Sequence, residues 1–366
     1  MNDIITKLLK KNKSIAGLDI GISTIKFIEF SGSTLDDLKL TSYAVEKIPQ
    51  ELINNSGSVE NIDAIAEIVR KCWKKSGSKT KDVCIAINEN ITKKMILPKY
   101  DFEEDLKVQV ENEMEKLLPG DLKLEDLAID FYTLGENEKN PVDNDILIVG
   151  AKKEKIDEKV AIVESAGLVP LILDTENDAF QNVVRFMEGE EFLEKTYMLL
   201  DGSSHYLRLM VFKKGELIYT KESSMGSFQF TQDLMNNLEI DFDEAEKMKK
   251  YHQNDERYEL VEKNFLNNYM SELMSAISYF SSATSVYEVD KIILTGGVAC
   301  ISNIEHVLKE HLLENNELIV RNDPIVGRPL ENIGKSNRIN LSSFTKDEPL
   351  LFLAISLGLR KYLRNY

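Results

Sequence analysis

One phrase occurs twice in this chain, and the repetition restricts the folds open to it. An apolar strand over residues 15–20 carries Asp19 near its end, passes a turn holding Gly21 and Ser23, and returns as a strand over 25–30 and a third over 39–45. Far downstream the pattern repeats: a strand over 197–201 ending on Asp201, a turn Gly202-Ser203-Ser204, a strand over 206–212, a turn Lys213-Lys214-Gly215 and a strand over 216–221. A duplicated strand meander predicts two related lobes. With 366 residues, 43% of them hydrophobic, the chain can bury more than one core.

The segments between and after the copies predict the rest of an α/β frame. A helix over 62–72 places Ile62, Ile65, Ala66 and Val69 on one face, and an apolar strand follows over 83–87. Residues 88–167 read as an inserted small unit. It holds a helix opening at Asp101, with Glu104 in capping-box position and Leu106, Val110, Met114 and Leu117 on one face. Strands over 127–134 and 145–151 follow, and then a helix to Ala166 that Gly167 terminates. A helical block over about 228–287 repeats Val261, Phe265, Tyr269, Leu273 and Ile277 at four-residue spacing, a core stripe. A buried strand over 291–294 then runs into Thr295-Gly296-Gly297, a helix begins near Ser302, and an apolar helix covers 349–363. The expected division is a first lobe of residues 1–87 with 168–180 and 345–366, the insert 88–167, and a second lobe 181–344.

Charge and composition remove several classes of function. A formal net charge of -17 repels nucleic-acid backbones and anionic headgroups, so no nucleic-acid role is expected and partners should be proteins. Lys7, Lys10, Lys11 and Lys13 among Ile4, Ile5, Leu8 and Leu9 read as a short helix or tail rather than a membrane anchor. No apolar run of about 18 residues and no signal-peptide pattern occurs, which predicts a cytoplasmic protein. Cys72, Cys84 and Cys300 are far apart and read as reduced thiols, and the four histidines show no metal-ligand spacing.

The chemistry concentrates in three loops. In Asp19-Ile-Gly21-Ile-Ser23-Thr24-Ile-Lys26, Gly21 and the small hydroxyl residues let backbone N–H groups approach a phosphate, and Lys26 supplies charge. Asp19 at the strand end suits a hydrated Mg2+, which keeps several waters and bridges phosphate oxygens. One such turn is ordinary. Asp201 with its own small-residue turn supplies a second, and Gly296-Gly297, where a strand meets a helix, offers backbone to a base or ribose. Three loops on a duplicated frame predict a nucleotide site.

These loops resemble those of the actin-like and sugar-kinase superfamily, in which two hairpins clamp phosphates and a glycine motif holds adenosine. Within it, SIAGLDIGISTIKFIEF, GSFQFTQDLMNNLEIDFDEAEKMKK, TGGVACISNIEHVL and LAISLGLR resemble the PilM family of type IV pilus assembly proteins along almost the whole chain. The resemblance implies a two-lobed actin-like ATPase fold with an FtsA-like inserted subdomain, binding ATP or ADP with Mg2+. It puts Gly226, Thr231, Ala245, Glu246 and Lys249 on family positions, with Glu246 and Lys249 near adenine, and aligns Ser203 with a usual glycine and Leu207 with a usual threonine. Gly202 is then expected to take over the second tight turn, shifted by one, with Ser204 beside it. Val298 stands where a third small residue is usual, and Ser356 where glycine is common. No residue is assigned to orienting an attacking water.

The resemblance also implies partners: the N-terminal cytoplasmic peptide of a PilN-like membrane protein, held near residues 88–98 and the helix 101–118, and indirect contact with the pilus motor ATPase. Membrane association would run through those partners, and oligomeric state is left open. Two other readings compete. A sugar kinase of the same superfamily would use Asp178 as general base, whereas Asp174 and its neighbours also read as the cap of a helix linking the lobes. An FtsA-like protein would carry a membrane-binding helix after a linker, a pattern not seen before Tyr366.

Overall fold

The computed structural model describes residues 14–52, 59–88, 90–120, 122–251, 255–315 and 317–363. The basic stretch at residues 4–13 lies outside them. Strands β1 (Ala16–Ile20), β2 (Thr24–Ser31) and β3 (Lys39–Lys47) form an antiparallel meander. Helix α1 (Ile62–Ser76), capped by Asn61, crosses to β4 (Asp82–Ile87), which lies parallel to β1. Ile65, Ala66, Val69 and Cys72 are buried, but Ile62 is exposed. The apolar stripe therefore begins one turn later than periodicity predicts.

The inserted unit contains β5 (Asn90–Pro98), α2 (Glu103–Glu115), β6 (Leu127–Glu136) and β7 (Asp143–Lys152), with its three strands antiparallel in the order β5-β7-β6. Val110 and Met114 of α2 pack on Leu97, Leu127, Ile146 and Ile148. The expected capping box is not formed. The N-cap is Phe102, which has no side-chain oxygen, and Glu103, Glu104 and Asp105 meet the positive helix end instead. Strand β5 was hidden in the sequence because Lys93 and Lys94, both exposed, interrupt apolar alternation. Helix α3 (Lys153–Ser165) touches this unit at its start, where Lys153 Nζ donates to the Glu125 carbonyl at 2.8 Å, but its apolar side belongs elsewhere: Ile162, Val163 and Ala166 join Leu18, Ile65 and Val69 in the first-lobe core. The part that stands apart is thus 90–152.

Strand β8 (Val169–Thr175) runs parallel to β4 and leads into α4 (Glu176–Glu188). The second lobe follows with β9 (Thr196–Gly202), β10 (Leu207–Lys213) and β11 (Glu216–Ser223), another antiparallel meander. Its helical block is three helices, α5 (Ser227–Leu238), α6 (Phe242–Tyr251) and α7 (Glu256–Thr284), and the predicted stripe of α7 is buried. Then come β12 (Glu288–Val289), β13 (Lys291–Gly296), α8 (Ile304–Asn315), β14 (Ile319–Val320), β15 (Ile325–Val326) and β16 (Gly334–Lys335). The described chain closes with α9 (Leu341–Asp347) and α10 (Phe352–Leu359).

The two large sheets repeat one topology. One has the order β16-β3-β2-β1-β4-β8 and the other β11-β10-β9-β13-β15. Setting β16 aside, each is a three-strand antiparallel meander extended by two parallel strands. Helices α4 and α10 fill the space between the sheets. Phe180, Val184, Phe352 and Ile355 meet Phe30 and Leu40 from one sheet and Leu199, Met210 and Phe212 from the other in a single core. Each fully buried side chain of this size contributes about 1.5–3 kcal/mol. The two helices are also tied by polar contact, because the Ser356 hydroxyl donates to the Ala179 carbonyl. Helix α10 lies so close to β1 that a Cβ on Gly17 would fall 2.2 Å from the Ala354 oxygen.

Candidate functional site

The cleft between the two sheets has a volume of about 1440 Å³, and the ends of both meanders face it. In the first hairpin, the Gly21 N–H donates to the Thr24 carbonyl at 3.1 Å and closes the turn. The Ser23 carbonyl accepts from the Ile48 N–H at 2.8 Å, which ties the tip to the end of β3. Asp19 and Lys26 are ladder partners, and Lys26 Nζ donates to Asp19 Oδ2 at 2.7 Å. Gly21, Ser23 and Thr24 line the cleft, and the buried Ser23 Oγ has no hydrogen-bond partner.

The second hairpin has the same register. Asp201 pairs with Arg208 as Asp19 pairs with Lys26, and the Ser203 N–H donates to the Tyr206 carbonyl at 2.9 Å. Ser203 therefore closes this turn, in the place Gly21 holds in the first. Gly202 does not take over the turn. It is the last residue of β9, paired with Leu207, and a Cβ there would collide with Val298 and the Tyr269 hydroxyl. Ser203 and Ser204 line the cleft. Burial pushes the Asp201 carboxyl up to about 6; Arg208 and Lys26 oppose this shift, while Glu176 and Asp19 add to it.

Gly296 sits beside this aspartate with φ of 81°, and a Cβ would lie 2.6 Å from Asp201 Oδ1. Both the left-handed backbone and the close approach require glycine. Gly297 faces Ser227 and, with Gly296, lines the cleft, whereas Val298 is buried beneath Gly202. Gly226 is likewise buried. It is the N-cap of α5 and lets the second hairpin seat on that helix, with the N–H groups of Ser227 and Phe228 donating to Ser203 and Ser204 carbonyls at 2.9 and 2.8 Å.

Glu246 and Lys249, i and i+3 on α6, form a network at the cleft wall. Lys249 Nζ donates to Glu246 Oε1 at 2.8 Å, Thr231 Oγ1 at 2.7 Å and the Ser227 carbonyl at 3.0 Å. Burial opposes the Glu246 charge, but Lys249 and the Thr231 hydroxyl outweigh it and hold the carboxyl below its usual range. Lys47 reaches toward Glu246 from the first lobe at 3.9 Å.

Two cleft residues escaped sequence reading. Arg208 Nη2 contacts Glu176 Oε2 at 2.7 Å, its Nε donates to Glu222, and its guanidinium lies 5.4 Å from the Phe180 ring centroid. A signal existed: Arg208 follows Asp201 at the interval by which Lys26 follows Asp19. Asp178 is not among the cleft-lining residues. Its Oδ2 accepts from the Thr175 hydroxyl at 2.8 Å within the N-cap of α4. That cap is Thr175 rather than Asp174, which precedes it in β8 and is buried against Arg360 Nε at 2.8 Å. Asp174 lies one residue before that cap, paired with Ala86 in the β4–β8 ladder.

Two sheets of one topology, joined by two central helices and clamping a common cleft, define an actin-like protein. The sequence-family model described as type IV pilus assembly protein PilM matches residues 17–362, and the chain belongs to that family. A chain in the solved structure of a PilM–PilN type IV pilus biogenesis complex is 20% identical, covering 95% of this chain and 98% of that one with a TM-score of 0.76. The ethanolamine utilization protein EutJ of Carboxydothermus hydrogenoformans is 13% identical, with 97% of both chains covered and a TM-score of 0.56. MreB5 of Spiroplasma citri bound to ADP is 12% identical, covering 96% of this chain and 97% of that chain with a TM-score of 0.50.

Proposed function

We propose that this protein binds ATP or ADP with Mg2+ in the interlobe cleft and uses it to set a scaffold for assembly of the type IV pilus inner-membrane complex. The carrying observation is the pair of equivalent hairpins facing one cleft with Lys26, Asp19 and Asp201 at their feet. The residues fit the ligand: Ser23 Oγ is buried without a partner, and the backbone of Gly296 and Gly297 lines the cleft. Lys26, Gly21, Ser23, Thr24, Ser203 and Ser204 would hold phosphate. Asp19 and Asp201 would accept waters of the hydrated cation, and Gly296, Gly297, Glu246 and Lys249 would hold adenosine. Buried Gly202, Gly226 and Val298 shape those loops from behind. When bound, the nucleotide supplies differential affinity for the closed arrangement of the lobes, the quantity that shifts a two-state protein.

The output of that shift is peptide capture. The partner is the N-terminal cytoplasmic peptide of a PilN-like protein, which brings the scaffold to the membrane. Strand β5 is an edge of its sheet, and Ile96, Phe102 and Val108 are exposed around it, the combination that suits an added strand with side-chain pockets. A thermal-unfolding titration tests the nucleotide. At about one hundred times the dissociation constant, ATP with magnesium should stabilise the wild type by roughly 2.7 kcal/mol and leave Lys26→Ala and Asp201→Ala unmoved. A wild type that does not shift would overturn the nucleotide reading and leave a peptide scaffold alone.

A further inference from the structure

Three carboxylates stand at the foot of the two hairpins: Asp19, Asp201 and Glu176, the first residue of α4. Asp19 and Asp201 are the penultimate residues of β1 and β9 and are committed to the cation in the reading above. Glu176 is free of that task but is held in another way. Its side chain is 16% exposed and meets Arg208, itself 12% exposed, at 2.7 Å. Arg208 cannot swing aside at low cost. Glu222 holds its Nε, the Phe180 ring lies against its guanidinium, and its backbone is locked in the β9–β10 ladder opposite Asp201. Lys26, at the same ladder position in the first lobe, has one carboxylate partner, its own aspartate.

A carboxylate activates water only when one of its oxygens is turned to within hydrogen-bond reach of the nucleophile and stays basic, assistance worth about 10²–10⁴-fold; the Arg208 contact on Oε2 fixes the Glu176 side chain in place and stabilises its charged form. In ATP hydrolysis the water oxygen forms a bond to the γ-phosphorus, and the bond from that phosphorus to the bridging oxygen breaks. Its electron pair leaves with ADP, and the water proton passes to an acceptor and then to solvent. We propose that Arg208 is a positioning residue that keeps Glu176 from serving as that acceptor, so the cleft retains its nucleotide as a structural ligand. The hydrolytic part rests on the nucleotide reading given above; the restraint itself does not.

The test uses the full chain as wild type, Arg208→Gln, Arg208→Lys and the double variant E176Q/R208Q. Carbodiimide-driven amine labelling of Glu176, read by peptide mass spectrometry without nucleotide, reports whether the carboxylate is held. Single-turnover phosphate release from ATP with magnesium reports its use, and a thermal-shift titration reports ATP affinity. In Arg208→Gln, labelling should rise several-fold and phosphate release at least about tenfold, with affinity little changed. Arg208→Lys keeps the charge and protects the fold, but a single ammonium cannot span Glu176 and Glu222 as the planar fork does, so it should fall between. The double variant should return to the wild-type rate. Equal labelling of Glu176 in wild type and both single variants would overturn the restraint, and unchanged release in variants that bind ATP would overturn its catalytic consequence. Failure of every form to bind ATP would defeat the nucleotide reading, while the labelling arm would still decide the restraint.

Discussion

Lys26 and Arg208 hold the same ladder position in the two lobes, each across from the aspartate one residue before the end of the preceding strand. Lys26 turns back to its own aspartate at 2.7 Å, inside the cleft. Arg208 bonds instead to Glu176 at the start of the helix between the sheets and to Glu222 on the next strand. One duplicated position has thus become a cleft-facing cation in one lobe and an internal tie in the other. The side chain makes the difference: a single-headed ammonium serves one acceptor at the cleft, whereas a planar fork can join two acceptors on different elements. The lesson is that duplicated topology preserves register but not role.

Substitutions can break this comparison, and the largest effect should come from removing the tie. Arg208→Ala leaves Glu176 charged and enclosed, and loss of one partner of a buried pair costs about 3–5 kcal/mol. Lys26→Ala breaks one carboxylate contact where Arg208→Ala breaks two, so it should cost less stability although Asp19 is equally enclosed, yet it should abolish the nucleotide-induced shift. Denaturant titrations with and without ATP separate the two; equal destabilisation would mean that the positions are equivalent after all.

Asp201 should show the next largest effect. Its folded pKa of about 6 lies above the unfolded carboxylate value, so the folded state binds the extra proton. Stability from this group is therefore fully present below about pH 4 and is lost as pH rises through about 6. Asp201→Asn should be more stable than wild type at pH 7.5 by roughly 2 kcal/mol, with the difference vanishing near pH 4, in melting temperatures measured across pH without ligand. A pH-independent difference would refute the assignment.

The smallest effect contrasts the two turn serines. Ser203 Oγ donates to the Tyr206 carbonyl at 3.0 Å, so Ser203→Ala should cost about 1 kcal/mol. Ser23 Oγ makes no bond, so Ser23→Ala should leave stability within about 0.5 kcal/mol and weaken ATP binding instead. Paired unfolding and affinity measurements would reverse the argument if Ser23→Ala proved the less stable.

Much of this frame was legible in the sequence because it is written in local signals. The hairpins at Asp19 and Asp201, the stripe from Val261 to Ile277 and the glycines before α8 all follow from periodicity and turn chemistry within a dozen residues. Elements whose cause is distant were not legible. Strand β5 exists because β7 pairs with it, α3 belongs to the first lobe because Ile162 and Val163 meet Ile65 and Val69, and Gly202 is small because Val298 arrives beneath it. The capping box at Asp101 failed for the complementary reason: a local motif forms only where the backbone enters the helix at the matching residue, and this helix starts two residues later.

By itself the sequence determined the duplication, the two-lobed α/β class and the resemblance of three loops to a nucleotide clamp, since strand-turn-strand patterning and small residues in turns are properties of neighbouring residues. Only the tertiary structure decided which of those residues face the cleft, that Gly202, Gly226 and Val298 lie behind it, and that Arg208 reaches Glu176 across the gap between strand and helix. Those outcomes depend on packing between segments far apart in the chain, where close contact and burial set partners that no local pattern records.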